Sequence, residues 1–170
     1  MGFLAFSTIA HLRRSHALEH ATIQLLHNRH PNVRFAGCST PHGFYVCGDV
    51  STESVERAAT AALARLRGGS KHLAIHPQCG TNLVALGSLV GLVSFLIMLP
   101  GDDRSRRERF PMLLLFSTLT LLLAQPLGPL LQQYVTTDAN VDGTEFARVQ
   151  RYQVGRMPVH KVLLRHEAAE

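Results

Sequence analysis

Residues 83–99 read LVALGSLVGLVSFLIML and residues 110–131 read FPMLLLFSTLTLLLAQPLGPLL; neither stretch contains an ionisable side chain. A helix needs roughly 20 apolar residues to cross a hydrocarbon core of about 30 Å, so both stretches read as membrane spans, the first at the short end of the range. Core helices of soluble domains seldom run this long without a charge. The pair predicts a transmembrane helical hairpin that divides the chain into an N-terminal soluble α+β part (1–82), the hairpin (83–131) and a β-rich tail (132–170) that packs on the first part. Two crossings place the soluble parts on the same side of the bilayer.

The flanks bear on orientation. The loop 101–109 carries Arg104, Arg106, Arg107 and Arg109, which by the positive-inside rule would lie in the cytoplasm, while Arg65, Arg67 and Lys71 precede the first span and argue the opposite. Residues 1–10 (MGFLAFSTIA) lack the leading positive charge of a secretory signal, so export of the N-terminal part is not expected. Three cysteines, Cys38, Cys47 and Cys79, cannot all pair, which fits a reducing compartment; Cys38 and Cys47 could still face each other across a hairpin. The expectation is an integral membrane protein with cytoplasmic soluble parts. A net charge of +5 suits a surface facing lipid headgroups, and with no basic cluster interleaved with aromatics a nucleic-acid partner is not expected. Gly87 and Gly91 form a G-x-x-x-G that permits close helix approach, within the hairpin, in a homo-oligomer or against a membrane-protein partner. The spans hold no charge of the kind that marks a transport path.

In the soluble parts, a helix is expected over 9–29, closed by Pro31. At 100° per residue, Ile9, Leu12, Ile23 and Leu26 share its side with His16, Glu19, His20 and His27. Strands over 33–39 and 43–49 turn at Thr40-Pro-His-Gly43, and Ser51 caps a helix over 52–67 that ends at Gly68-Gly69. Short strands are expected at 71–75, 134–137, 146–154 and 159–164. Together they predict an α+β fold, a small mixed sheet with two packed helices, interrupted by the transmembrane hairpin.

The chemistry centres on His16-Ala-Leu-Glu-His20. Positions i, i+3 and i+4 lie on one helical face, so two imidazoles can converge on an ion with a carboxylate beside them. His16 and His20 are expected as zinc ligands and Glu19 as the catalytic base acting on a metal-bound water. His76 and Cys79, in a loop containing Pro77 and Gly80, are the first candidates for the remaining ligands; Asp138 and Glu145 come next. Four protein donors would make a structural zinc, and three plus water a catalytic one. Against this stands a purely structural cluster of His16, Glu19 and His20 with Arg13, Arg14 or the tail. His27 is a candidate second-layer group, and His11, His30, His72, His160 and His166 read as surface or satisfied residues.

The H-x-x-E-H spacing resembles that of the inverted zincins, which implies a zinc metallopeptidase-like hydrolase. In that family the third ligand is a glutamate on a distant helix, and here only Glu53 and Glu56 occupy such an element. The strings RSHALEHATI (14–23), STPHGFY (39–45), GDVST (48–52) and AIHPQCGTN (74–82) are similar to those of an uncharacterised bacterial membrane-protein family of unknown function, represented in cyanobacteria and Chloroflexi. That resemblance implies a small two-span membrane protein with a HALEHAT helix and a histidine-cysteine loop, and no particular activity. The expected function is a membrane-anchored metal-binding protein, with a non-enzymatic accessory or assembly subunit of a membrane complex as the alternative.

Overall fold

Two tight hairpins build the sheet. In the computed structural model, which describes residues 2–99 and 107–166, strand β1 (Ala36–Thr40) turns into β2 (Gly43–Cys47), and β3 (Thr144–Val154) turns into β4 (Met157–His166). Gly43 makes the first turn possible: its φ of 138° disfavours any L side chain, and a Cβ there would fall on the Val162 carbonyl oxygen. The strand order is β1-β2-β4-β3, with β2 pairing β4 so that Phe44 meets Val162 and Val46 meets His160.

Every pair in this sheet is antiparallel, which corrects the expected mixed sheet. The two hairpins join side by side through β2 and β4, and no crossover connection creates a parallel pair. Nor do residues 71–75 form a strand. Lys71–Ala74 is a 3₁₀ turn in which Leu73 and Ile75 donate to the carbonyls of Ser70 and His72. Nor do residues 134–137 form a strand: residues 134–136 belong to a π-helical turn, Gln132–Thr136, closed by the Thr137 amide on the Gln132 carbonyl.

Helix α1 (Gly2–Arg29) lies over β1 and β2, α2 (Thr52–Arg67) over β3 and β4, and the two helices pack on each other. Ser51 caps α2 by accepting from the Ser54 amide at 3.2 Å, and Val55, Ala58, Ala59, Ala62, Leu63 and Leu66 form its buried stripe at helical spacing. Glu53 near its start and Arg65 and Arg67 near its end suit the helix dipole. Helix α1 differs from expectation: Ile9 and Leu12 are exposed, while all but one of residues 17–26, including Glu19, His20 and Thr22, are buried. The centre of α1 is enclosed by α2, the sheet and the 3₁₀ turn, so its polar side chains sit in the core.

The chain divides into two compact units, residues 1–76 with 132–170, and residues 77–131. The second unit holds α3 (Gly80–Met98), α4 (Phe110–Leu123) and α5 (Leu127–Leu131). Helix α3 is long and apolar enough to cross a membrane. The second apolar stretch is not one straight span, because Phe110–Leu123 and Leu127–Thr136 meet at a bend of 54°. Pro126 stands in the break and lacks the N–H that a continuing helix would use. Helices α3 and α4 approach each other through Ser94 and Ser117, whose hydroxyls are 3.1 Å apart. A Cβ added at Gly87 or Gly91 would meet no described atom within 4 Å, so the G-x-x-x-G face is not the α3–α4 contact. Arg104 and Arg106 of the connecting loop lie outside the described residues.

Candidate metal centre

Two short turns offer main-chain carbonyls to α1. The His16 Nδ1 lies 3.0 Å from the Thr136 oxygen, and the His20 Nδ1 lies 2.7 Å from the Ala74 oxygen. A carbonyl oxygen can only accept, so each Nδ1 carries a proton, and in the neutral ring this leaves the lone pair on Nε2. This is the arrangement that metal-bound histidines adopt, with the far ring nitrogen donating to a carbonyl and fixing the tautomer. The His16 and His20 rings have centroids 4.3 Å apart, and His76 adds a third ring 5.7 Å from that of His20. All three belong to the first unit.

The supports of these rings explain why the turns are not strands. A ladder would use the carbonyls of Ala74 and Thr136; at the ends of single helical turns they remain available to side chains. Gln24 holds the first turn by donating to the carbonyls of Leu73 and Ile75, both at 3.0 Å. The second is held by Arg13, which donates to the carbonyls of Tyr134 and Thr137 at 3.1 and 3.0 Å. Gln132, fully buried, accepts the His76 amide at 2.7 Å and donates to the His76 carbonyl at 3.0 Å. A cavity of about 460 Å³ adjoins both turns, lined in part by Lys71, Ala74, Tyr134, Thr137 and Asp138.

Glu19 is buried, and the Ser39 hydroxyl of β1 donates to its carboxylate. Gly37, also on β1, leaves the room, since a Cβ there would collide with the Glu19 carboxylate and the Ile23 side chain. Cys79 stands at the N-cap of α3 and belongs to the second unit. The other candidates are engaged elsewhere. Asp138 pairs with Arg14 at 3.7 Å and caps the Asn140 amide, Glu53 pairs with Arg57 at 3.6 Å, and Glu145 and His27 are exposed.

A different histidine pair sits towards the start of α1. His11 stacks on His166 of β4 with centroids 4.4 Å apart and planes 8° from parallel, and the Thr144 hydroxyl bonds the His166 Nδ1 at 3.0 Å. Burial, then the charges of His11 and Arg14, push the His166 pKa down to about 4. Burial and the charges of Arg14 and His42 lower that of His11. The sequence had pointed to neither this stack nor the roles of Gln24 and Gln132. An acceptor that is a main-chain carbonyl leaves no residue-type signal, and the pair Gln132-Gln133 after an apolar run reads as the return to water.

The architecture defines an α+β protein with an apolar helical insertion and two adjacent histidines on its central helix, the ring of His76 lying near the second of them. Residues 11–149 match the family described as a domain of unknown function, DUF6391, and the chain belongs to that family. It is similar to the uncharacterized protein SYNPCC7002_A1392 of Picosynechococcus sp. (strain ATCC 27264 / PCC 7002 / PR-6), with 37% identity over 139 residues that cover 74% of this chain. The match takes in 65% of that relative's length. No solved structure matches the chain.

Proposed function

We propose that the protein is a membrane-anchored metal-binding protein in which His16, His20 and His76 hold a zinc ion through nitrogen, with Cys79, three residues along the chain from His76, as the fourth donor. The observation that carries this reading is the pair of Nδ1–H···O=C bonds from His16 and His20, which turn both Nε2 lone pairs into ligands. Nitrogen and thiolate donors suit zinc, a borderline-soft ion that favours tetrahedral His and Cys sets. The membrane anchor rests on the length and apolarity of α3 and of the bent α4–α5 run. An inner-membrane location with cytoplasmic soluble parts is consistent with Cys38, Cys47 and Cys79, none of which forms a disulfide among the described residues.

Of the two roles open to zinc, the structural one has the better support. A general base must reach a metal-bound water, and Glu19 is buried with Ser39 donating to its carboxylate. A peptidase-type hydrolase would need a Glu19 carboxylate oxygen to reach that water from its buried position. Metal analysis of the full chain purified in detergent tests the proposal. One zinc per chain is expected, lost in His16→Ala and in His20→Ala, and with cobalt in place of zinc Cys79→Ser loses the thiolate charge-transfer band. Wild-type protein that takes up no zinc on reconstitution overturns the reading.

A further inference from the structure

The chain leaves the first unit after His76 and returns to it at Gln132. Within the first unit these two residues are tied by the Gln132 side chain. The Gln132 carboxamide accepts from the His76 N–H at 2.7 Å and donates to the His76 C=O at 3.0 Å, and it has no solvent exposure. An amide is the side chain that can satisfy an N–H and a C=O of one residue together, because it carries a donor and an acceptor on one plane.

The same segment holds the far side of the site. The Gln132 carbonyl accepts from the Thr137 amide at 2.9 Å and from the Thr137 hydroxyl at 2.7 Å, closing the π turn in which the Thr136 carbonyl takes the His16 Nδ1–H. Gln132 therefore acts on two of the three histidines, on His76 through its side chain and on His16 through its backbone. A buried amide that lost these partners would leave polar groups unsatisfied in the core, so the clamp is held in one geometry.

The geometry points to Gln132 as the positioning residue of the metal site, one that makes metal affinity depend on the two ends of the helical insertion staying together; this rests on the zinc reading above. A movement that parts residue 76 from residue 132 takes His76 out of the site and displaces the carbonyl that orients His16.

Zinc affinity of the full-length protein in detergent, read by competition with a chromophoric chelator, together with the visible spectrum of the cobalt-loaded protein and the melting temperature of the metal-free protein, tests this. Gln132→Met should weaken zinc binding by about 10–100-fold, the cost of losing an orienting partner, and should alter the cobalt spectrum. Gln132→Glu keeps an acceptor for the His76 N–H and loses the donor to its carbonyl, and it provides the readout if the methionine variant does not fold; a smaller loss of affinity is expected. A folded variant with wild-type affinity and an unchanged cobalt spectrum overturns the positioning role while leaving the zinc reading intact. Wild-type protein without zinc or cobalt binding overturns both.

Discussion

Two groups of histidines flank the same helix, and the protein treats them in opposite ways. His16 and His20 each give their Nδ1 proton to a main-chain carbonyl and present Nε2. Five residues before His16, His11 lies flat against His166, and burial together with neighbouring positive charge favours the neutral form of both. In the first group the second layer consists of acceptors, which orient the rings. In the other it includes Arg14 and further imidazoles, which penalise protonation. Residue type alone therefore does not separate the two groups; the acceptor behind the far nitrogen does.

The sharpest way to break this comparison is to exchange the losses. Removing a ring from the first group, in His16→Ala or His20→Ala, should reduce zinc affinity by more than the roughly 10–100-fold that an orienting partner is worth. His11→Ala and His166→Ala should leave it within a few-fold of wild type. If both groups behave alike in chelator competition, the distinction drawn from the carbonyls is wrong. Next in size is Gly37→Ala on the strand beneath Glu19. The added methyl group, on an exposed edge strand, meets the ends of the buried Glu19 and Ile23 side chains, so a loss of about 1–3 kcal/mol is expected. That corresponds to a fall in melting temperature of several degrees, since about 1 kcal/mol shifts it by roughly 2–8 °C depending on domain size. An unchanged melting temperature would show that α1 can shift on β1, and with it the placement of the whole histidine group.

Much of this scaffold is legible in the residues. Ser51, the alanine-rich stripe and Gly68 bracket α2, and Thr40-Pro41-His42-Gly43 sets the first hairpin. These signals are local, so propensity and tertiary structure agree. Where they part, a long-range partner decides. KHLAI has the composition of a short strand, yet Gln24 on α1 takes two of its carbonyls and winds it into a turn. Ile9 and Leu12 complete an apolar stripe on paper, but the core begins further along α1. At the site, the spacing of His16 and His20 was readable because a helix fixes it. Gln132 and the carbonyls of Ala74 and Thr136 were not, because what gathers them is the return of the chain after a long insertion.

The second group should show itself in acid. His166 has its folded-state pKa lowered from 6.5 to about 4, so between these values the unfolded chain binds a proton that the folded protein excludes. The stabilising contribution is fully present above about pH 6.5 and is lost as pH falls through about 4. Melting of metal-free protein at intervals across that window should show the decline, with His166→Gln flattening it. A profile that His166→Gln leaves unaltered would remove the His11–His166 stack from the comparison.

The smallest expected effect belongs to a third kind of histidine, one with no other ring against it. His160 on β4 is fully buried beside Val46, and neither ring nitrogen makes a hydrogen bond of good geometry among the described residues. Burial and then the Arg151 charge lower its pKa while the Val46 main chain opposes them, so the neutral ring is favoured and its polar atoms are at best weakly satisfied in the core. Replacing a buried polar group that lacks partners with an apolar one of similar size removes a desolvation cost without breaking a bond. His160→Leu should therefore raise stability, by about 1 kcal/mol, whereas His16→Leu would discard an orienting hydrogen bond. A lower melting temperature in His160→Leu would mean that the ring is held by a partner such as an internal water, and it would then rejoin the histidines whose second layer assigns them a task.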